Sequence, residues 1–317
     1  MRFCLMVEGQ EGVTWERWLA VAEACERLGF ESLFSSDHYF SVVGAGGRGS
    51  NDAWTVMAGL AARTSRLRLG TLVSPVTFRH PTNLAKIVTT VDAISNGRVE
   101  IGLGAGWWEE EHRTHGFPFP PSGERMEMLE EQLEIIHGLL SEPTFSFESR
   151  HYALEGCAFL PKAVQQPHPP IIVGGNGGPR LSRLVARWAD EFNTVGGTPE
   201  DVGERYTRVR DAVGAAGRDQ AAVVTSFMTW VFVGRTEDEW RGRVAQAHTH
   251  DPTAGPFEQY LADIEKDCIV GTPERASDRL SEYAAAGVQR VMLNHELVED
   301  LEMLELLATE VLPKVEG

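Results

Sequence analysis

His38 stands at the end of an apolar run, residues 31–38, directly after Asp37. An imidazole near neutral pH can give or take a proton, and a neighbouring carboxylate can orient the ring. A histidine at a strand end is also a common structural hydrogen-bonding group, so residue type leaves both roles open. Two glycine-rich stretches suggest a second kind of chemistry. In "IGLGAGWWEEEH" (101–112), Gly102, Gly104 and Gly106 lead into Trp107 and Trp108. The spacing is not GxGxxG, it follows a fourth strand rather than a first, and two tryptophans occupy the expected helix start. Glycine lets a flat ligand approach the backbone closely, so this stretch reads as a floor for an aromatic ring. A tight turn without a ligand is the alternative. In "VGGNGGPR" (173–180), Gly174, Gly175, Gly177 and Gly178 leave amides free at the start of a helix near Pro179. Such a helix end favours an anion such as phosphate, though an ordinary left-handed turn has the same residues. Arg180, Arg183 and Arg79 are the candidate cations beside it.

Other chemistries find less support. His112 with His115, and His248 with His250, lack third and fourth ligands at zinc spacing, so they read as surface histidines and no metal site is expected. Glu109, Glu110 and Glu111 read as a solvated face. No GxSxG, Walker or HExxH sequence occurs, which removes most support for hydrolases and NTP-dependent enzymes. A barrel lyase or aldolase would need a metal cluster or a Schiff-base lysine, and Lys86, Lys162, Lys266 and Lys314 all lie away from strand ends.

The elements that would position these groups alternate along 317 residues of 42% hydrophobic content. Strands are predicted at 2–8, 31–38, 67–75, 99–104, 170–175, 191–196, 223–234 and 288–293. Helices are predicted at 14–29, 52–64, 81–95, 122–140, 179–189, 199–215 and 298–311. The first carries Trp15, Trp18, Ala22 and Cys25 on one face. Thr198-Pro199-Glu200 and Thr272-Pro273-Glu274 are matching helix starts, with Thr at the N-cap and Pro in the first turn. Residues 143–168 break the rhythm with aromatics and prolines, as an inserted loop or ribbon. Eight strands alternating with helices fit a (β/α)8 barrel with insertions, expected as one domain over 1–317. A doubly wound open sheet shows the same alternation. In a barrel the reactive groups gather at the strands' C-terminal ends: "SSDH" (35–38), "LVSPVTFRHP" (72–81), the two glycine stretches, "NTVGG" (193–197) and "LNHE" (293–296).

The formal charge of −17 argues against non-specific binding to nucleic acid or to a membrane surface. Cys4, Cys25, Cys157 and Cys268 are scattered without a CxxC pair. With no signal-like segment and no apolar run of membrane-spanning length, a reduced cytoplasmic protein is expected.

Taken together, these stretches resemble the bacterial luciferase-like family of flavin and deazaflavin enzymes, in particular its coenzyme F420-dependent oxidoreductases. The resemblance is carried by "LFSSDHYF", "LRLGTLVSPVTFRHPTNLAKIVTTVDAISNGRVEIGLGAGWWEEEHRTHGFPFP", "ERMEMLEEQLEII", "PIIVGGNGGPRLSRLVARWADEFN" and "RVMLNHELVEDLEMLELLATEVLP". It implies a (β/α)8 barrel in which His38 serves as proton donor near the reactive carbon of a bound ring, with Asp37 beside it. It further implies that Leu72, Val73 and Ser74 buttress the ring's back, with a cis peptide between Leu72 and Val73. Gly104, Ala105 and Gly106 would run along the ring's edge, and Gly177 and Gly178 would meet the phosphate.

The cofactor implied is F420, with FMN the alternative, acting on a small-molecule substrate in a homodimer. The F420-dependent glucose-6-phosphate dehydrogenases carry Glu directly after the strand-four glycines and Trp four residues after the histidine. Here those positions are Trp107 and Val42, which points away from a sugar phosphate and toward a more apolar substrate. The competing functions are an FMN-dependent monooxygenase using O2 and a non-catalytic flavin-binding protein. Residues 39–51, 143–168 and 248–268 are the insertions expected to line the substrate pocket.

Overall fold

Short runs of branched and aromatic residues pair as strands, and the longer runs coil into helices that bury an apolar stripe. The computed structural model describes residues 1–43 and 48–315; residues 44–47 of the insertion expected at 39–51 lie outside the described residues. Strands β1 (Arg2–Val7), β2 (Ser32–Ser35), β3 (Arg68–Thr71), β4 (Ser74–Pro75) and β5 (Val99–Gly104) pair in parallel. The ribbon β6 (Phe145–Glu148) and β7 (Ala153–Cys157) is antiparallel and interrupts the alternation where an insertion is expected. Then come β8 (Ile171–Gly174), β9 (Glu191–Val195) and β10 (Val224–Val233). The short β11 (Ile269–Gly271) lies along the end of β10, and β12 (Arg290–Asn294) returns to β1. Because β9 pairs with both β8 and β10, and β12 with both β10 and β1, eight strands close into a ring. Closure decides for the (β/α)8 barrel over the open sheet.

Surrounding helices are α1 (Trp15–Leu28), α2 (Ala53–Ala61), α3 (Pro81–Ser95), α4 (Glu109–His115), α5 (Ser122–Ser141) and α6 (Pro179–Trp188). They continue with α7 (Pro199–Ala215), α8 (Glu237–His250), α9 (Phe257–Asp267), α10 (Pro273–Ala285) and α11 (Leu301–Leu306). A π-helical turn, Leu307–Val311, links α11 to α12 (Leu312–Val315), so the final helix begins later than expected, where Asp300 accepts from the Met303 amide. Trp18, Ala22 and Cys25 are buried on α1 as expected, whereas Trp15 is part-exposed and covers Gly59 of α2. The two Thr-Pro-Glu helix starts differ: Thr198 forms a reciprocal capping box with Asp201, while the Thr272 side chain makes no cap bond. No helix among the described residues is long and apolar enough to cross a membrane.

The barrel's interior is packed rather than hollow. Cys4, Met6, Phe34, Leu72, Ile172 and Met292 form its apolar middle. Below them an ionic floor ties distant strands together. Arg290 Nη1 donates to Glu100 (2.6 Å) and Glu191 (2.8 Å), and its Nη2 donates to Glu100 (2.8 Å) and Ser32 (2.5 Å). Arg68 adds a 2.6 Å bond to Glu100. Burial acts to raise the Glu100 pKa, but the two arginines outweigh it and hold the carboxyl at about 2. Glu191 goes the other way, because burial raises its pKa and its Oε1 has no donor among the described residues. The expected site residues lie at the opposite, C-terminal end of the barrel.

Candidate active site

β2 ends at Ser35, three residues sooner than expected, so Ser36, Asp37 and His38 form the loop at its C-terminal end. Ser36 Oγ accepts from the Gly9 amide at 3.1 Å and also bonds Gln10, fixing this loop against the end of β1. His38 follows, its side chain 16% exposed, with Nδ1 2.9 Å from Glu111 Oε2. The other Glu111 oxygen accepts from the Tyr39 amide at 2.5 Å. One carboxylate therefore holds both the ring and the backbone after it. Among the described residues nothing bonds Nε2, which leaves that nitrogen as the one available to a ligand. Burial lowers the His38 pKa, but the Glu111 hydrogen bond and charge, helped by Glu8 and Asp37, raise it above the usual imidazole value on balance.

Glu111 corrects two expectations. It is not part of a solvated face: it is 1% exposed, and α4, a helix not expected from the sequence, turns Glu111 and His112 inward. It is also the carboxylate that orients His38, a role expected of Asp37. His112 is likewise buried, not a surface histidine; it bonds Thr77 Oγ1 at 2.6 Å and the Trp108 carbonyl at 2.7 Å. This anchors the stacked indoles of Trp107 and Trp108, whose centroids are 5.8 Å apart. His38 meets both edge-on, at 5.9 and 6.0 Å.

Asp37 instead organises the neighbouring strand. Its Oδ2 accepts from Ser74 Oγ and from Arg79 Nη1, both at 2.5 Å. Trp54 Nε1 donates to Ser74 Oγ at 2.9 Å, and Arg79 Nη2 reaches Asp52 at 2.5 Å. Arg79 is thus committed to two aspartates and is not a free phosphate ligand. Between β3 and β4 the Leu72–Val73 peptide is cis. The pairing steps from Gly70↔Glu100 to Ser74↔Leu103, one residue more on this side than on β5. That extra residue is a bulge. Half-buried Val73 lies in it, with its methyls beside Gly102, Gly104 and Gly174.

The bulge also explains much of the glycine pattern. A Cβ on Gly102 would overlap the Thr71 carbonyl, and one on Gly104 would stand 2.7 Å from Val73 Cγ2. A Cβ on Gly174 would be 3.0 Å from Val73 Cγ1. These glycines make room first for the bulge, and the space expected for a ring lies beyond it. Ala105 and Gly106 continue past β5, with Gly106 at φ +78°, a conformation that favours glycine. Gly175 and Gly177 have positive φ, and Gly178 is the N-cap of α6, with no side chain capping that helix. Arg180 donates to the Gly123 carbonyl at 3.0 Å and lies 3.6 Å from Glu130. Exposed Arg183 lines a cleft with Arg180, Leu184, Arg187 and Glu130 on the outer side of α6.

A mouth with an oriented imidazole, an apolar bulge, paired indoles and an uncapped helix start can hold a planar ligand with an anionic tail. The profile of the luciferase-like monooxygenase family matches residues 1–290. The chain belongs to the luciferase-like monooxygenase family. Within it, the chain is 29% identical to an F420-dependent glucose-6-phosphate dehydrogenase of Microbacterium testaceum, covering 92% of this chain and 90% of the relative. It is 26% identical to an FMNH2-dependent dimethylsulfone monooxygenase of Pseudomonas putida, covering 93% and 86%. An F420-dependent secondary alcohol dehydrogenase solved with an F420–acetone adduct superimposes with a TM-score of 0.84 at 20% identity, covering 100% of this chain and 99% of that one. These luciferase-like relatives are oxidoreductases and monooxygenases, and they use either a flavin or a deazaflavin.

Proposed function

We propose that this enzyme is an F420-dependent oxidoreductase acting on a small organic substrate. The observation that carries the reading is the His38–Glu111 pair at the barrel mouth, 2.9 Å apart, with Nε2 left for a ligand. When bound, the deazaflavin supplies a carbon that gives or takes a hydride. The protein's own groups do the rest. Val73, in the bulge, offers an apolar support for the ring's back. The uncapped α6 start at Gly178 offers amides and a favourable dipole to a phosphate. Trp107, 62% exposed, and Val195, 39% exposed, give apolar surface that a bound ring and substrate would cover. His38 Nε2 holds the proton that accompanies hydride transfer, and Glu111 keeps the ring oriented and favours its charged form.

The second reading, an FMN-dependent monooxygenase, is supported by the similarity to the FMNH2-dependent relative along nearly the whole chain. For the deazaflavin reading, His38→Ala is the direct test, assayed with whichever substrate supports F420 turnover in a spectrophotometric screen. Turnover falls roughly 10²–10⁴-fold, the range for losing a positioned acid or base, while F420 affinity stays nearly unchanged. Unchanged turnover removes His38 from the chemistry, and loss of folding gives it a structural role.

A further inference from the structure

The end of β12 carries acceptors that receive no hydrogen bond among the described residues. Side chains alternate along a strand, and Arg290, Met292 and Asn294 occupy the inward positions of β12. Glu296 follows in a bend two residues past the strand's end. His295, between them, is fully buried near Arg243 and Asp300. Asn294 Nδ2 donates to Glu8 Oε1 at 3.0 Å, but its buried Oδ1 has no donor among the described residues. The amide's negative end is thus left uncompensated beside a carboxylate. Half-buried Glu296 accepts no hydrogen bond and joins no ion pair among the described residues.

Neighbouring charges do not offset it. Glu8, Glu11 and Asp251 all act on Glu296, opposed by the Arg48 guanidinium. Arg48 is already committed to Glu11 at 2.9 Å and to the His250 carbonyl at 3.1 Å. Glu11 is further satisfied by Ser41 Oγ at 2.6 Å and the Val42 amide at 2.9 Å, and Glu8 by Gln10 at 2.7 Å. Burial, reinforced by Glu11 and Glu8, pushes the Glu296 carboxyl up to about 7. A half-buried carboxylate among other carboxylates either takes up a proton or is held charged by a cation that meets it. This corner also adjoins the reaction site: Asn294 donates to Glu8, and the next two residues, Gly9 and Gln10, bond Ser36 in the loop that carries His38.

We infer that Glu296 is the counter-ion for a cationic nitrogen of the substrate, so that the pocket selects an amine with an apolar body over neutral or anionic molecules of the same shape. The inference rests on the reading of the barrel mouth as the reaction site. It divides the pocket's work between two walls. Trp107 and Trp108 give the apolar body a surface, and the β1–β12 side holds the charge. An anionic substrate is disfavoured there by Glu8, Glu11 and Asp251 together.

The test uses the full chain and a matched set of probes: benzylamine, benzyl alcohol and benzoate, titrated calorimetrically at neutral pH with and without F420. Benzylamine binds about tenfold or more tighter than benzyl alcohol, as for a charge-assisted contact, and benzoate binds weakest. Glu296→Gln brings amine and alcohol to within about twofold of each other, while Glu296→Asp, which keeps the charge, retains most of the preference. Equal binding of amine and alcohol to the wild type overturns the inference. So does an amine that fails to bind detectably, or a preference that survives in folded Glu296→Gln. F420 binding in the same titrations separates the two claims. A protein that prefers the amine but binds no F420 contradicts the deazaflavin reading alone, and one that binds F420 without amine preference contradicts the role of Glu296 alone.

Discussion

His38 and Glu111 lie 73 residues apart and act as one group, with a consequence for pH dependence. The His38 pKa is raised above 6.5 in the folded chain. Its pairing with Glu111 therefore stabilises the fold fully below 6.5, and that contribution is lost as pH rises through the raised value. If the protonated ring is the proton donor, kcat/KM for substrate reduction falls over that same higher range. Glu111→Gln removes the charge and leaves burial to dominate, so the descending limb moves to lower pH. A pH–rate profile checks this, and a limb that does not move shows that Glu111 fails to tune His38. At this scale the sequence was half legible. His38 declares itself by residue type and by its place after a strand. Glu111 is hidden in a run of three glutamates, because helix phase and the distant β2 loop decide which of the three is buried. Asp37 misleads for the same reason: adjacent in sequence to His38, it finds its partners in Ser74 and Arg79.

The bulge between β3 and β4 is the element that shapes the mouth, and the glycines of β5 exist partly to receive it. Gly102→Ala places a Cβ against the Thr71 carbonyl, a backbone atom that cannot move without breaking the strand. The substitution should destabilise the chain by about 3 kcal/mol, the upper end of overpacking costs, or prevent folding. Gly123→Ala, where a Cβ meets open space on α5, should stabilise by roughly 0.5–1 kcal/mol. Urea denaturation of the two variants checks the contrast, and a Gly102→Ala as stable as wild type contradicts the packing described for the bulge. The sequence marks these glycines as unusual but not their reason, since the atoms that fill the space belong to the neighbouring strand. The ends of β2 and α4 were missed similarly, through tertiary contacts that local periodicity does not record.

Over the whole molecule, alternation of strands and helices narrows the fold to two architectures, and the pairings β9–β10 and β12–β1 choose the barrel. Those pairings join distant segments, so periodicity alone could not decide between them. The floor around Arg290 bridges strands across the closed ring. Arg290→Met leaves Glu191 buried without its cation and Glu100 with Arg68 alone, and should cost about 3–5 kcal/mol, as for other buried pairs stripped of one partner. A loss below about 1 kcal/mol by urea denaturation would show that the floor contributes little to closure. Glu100, held at about 2 against an ordinary 4.5, contributes stability that is present above 4.5 and lost as pH falls through about 2. The expected site residues lie at the end of the barrel opposite the floor, and the central claim is that this end binds a deazaflavin. Equilibrium titration of the purified chain with F420 and FMN, each competed with the other and followed by tryptophan fluorescence, tests that claim most directly. The account predicts saturable F420 binding that FMN does not displace; tight FMN binding that F420 fails to displace would contradict it.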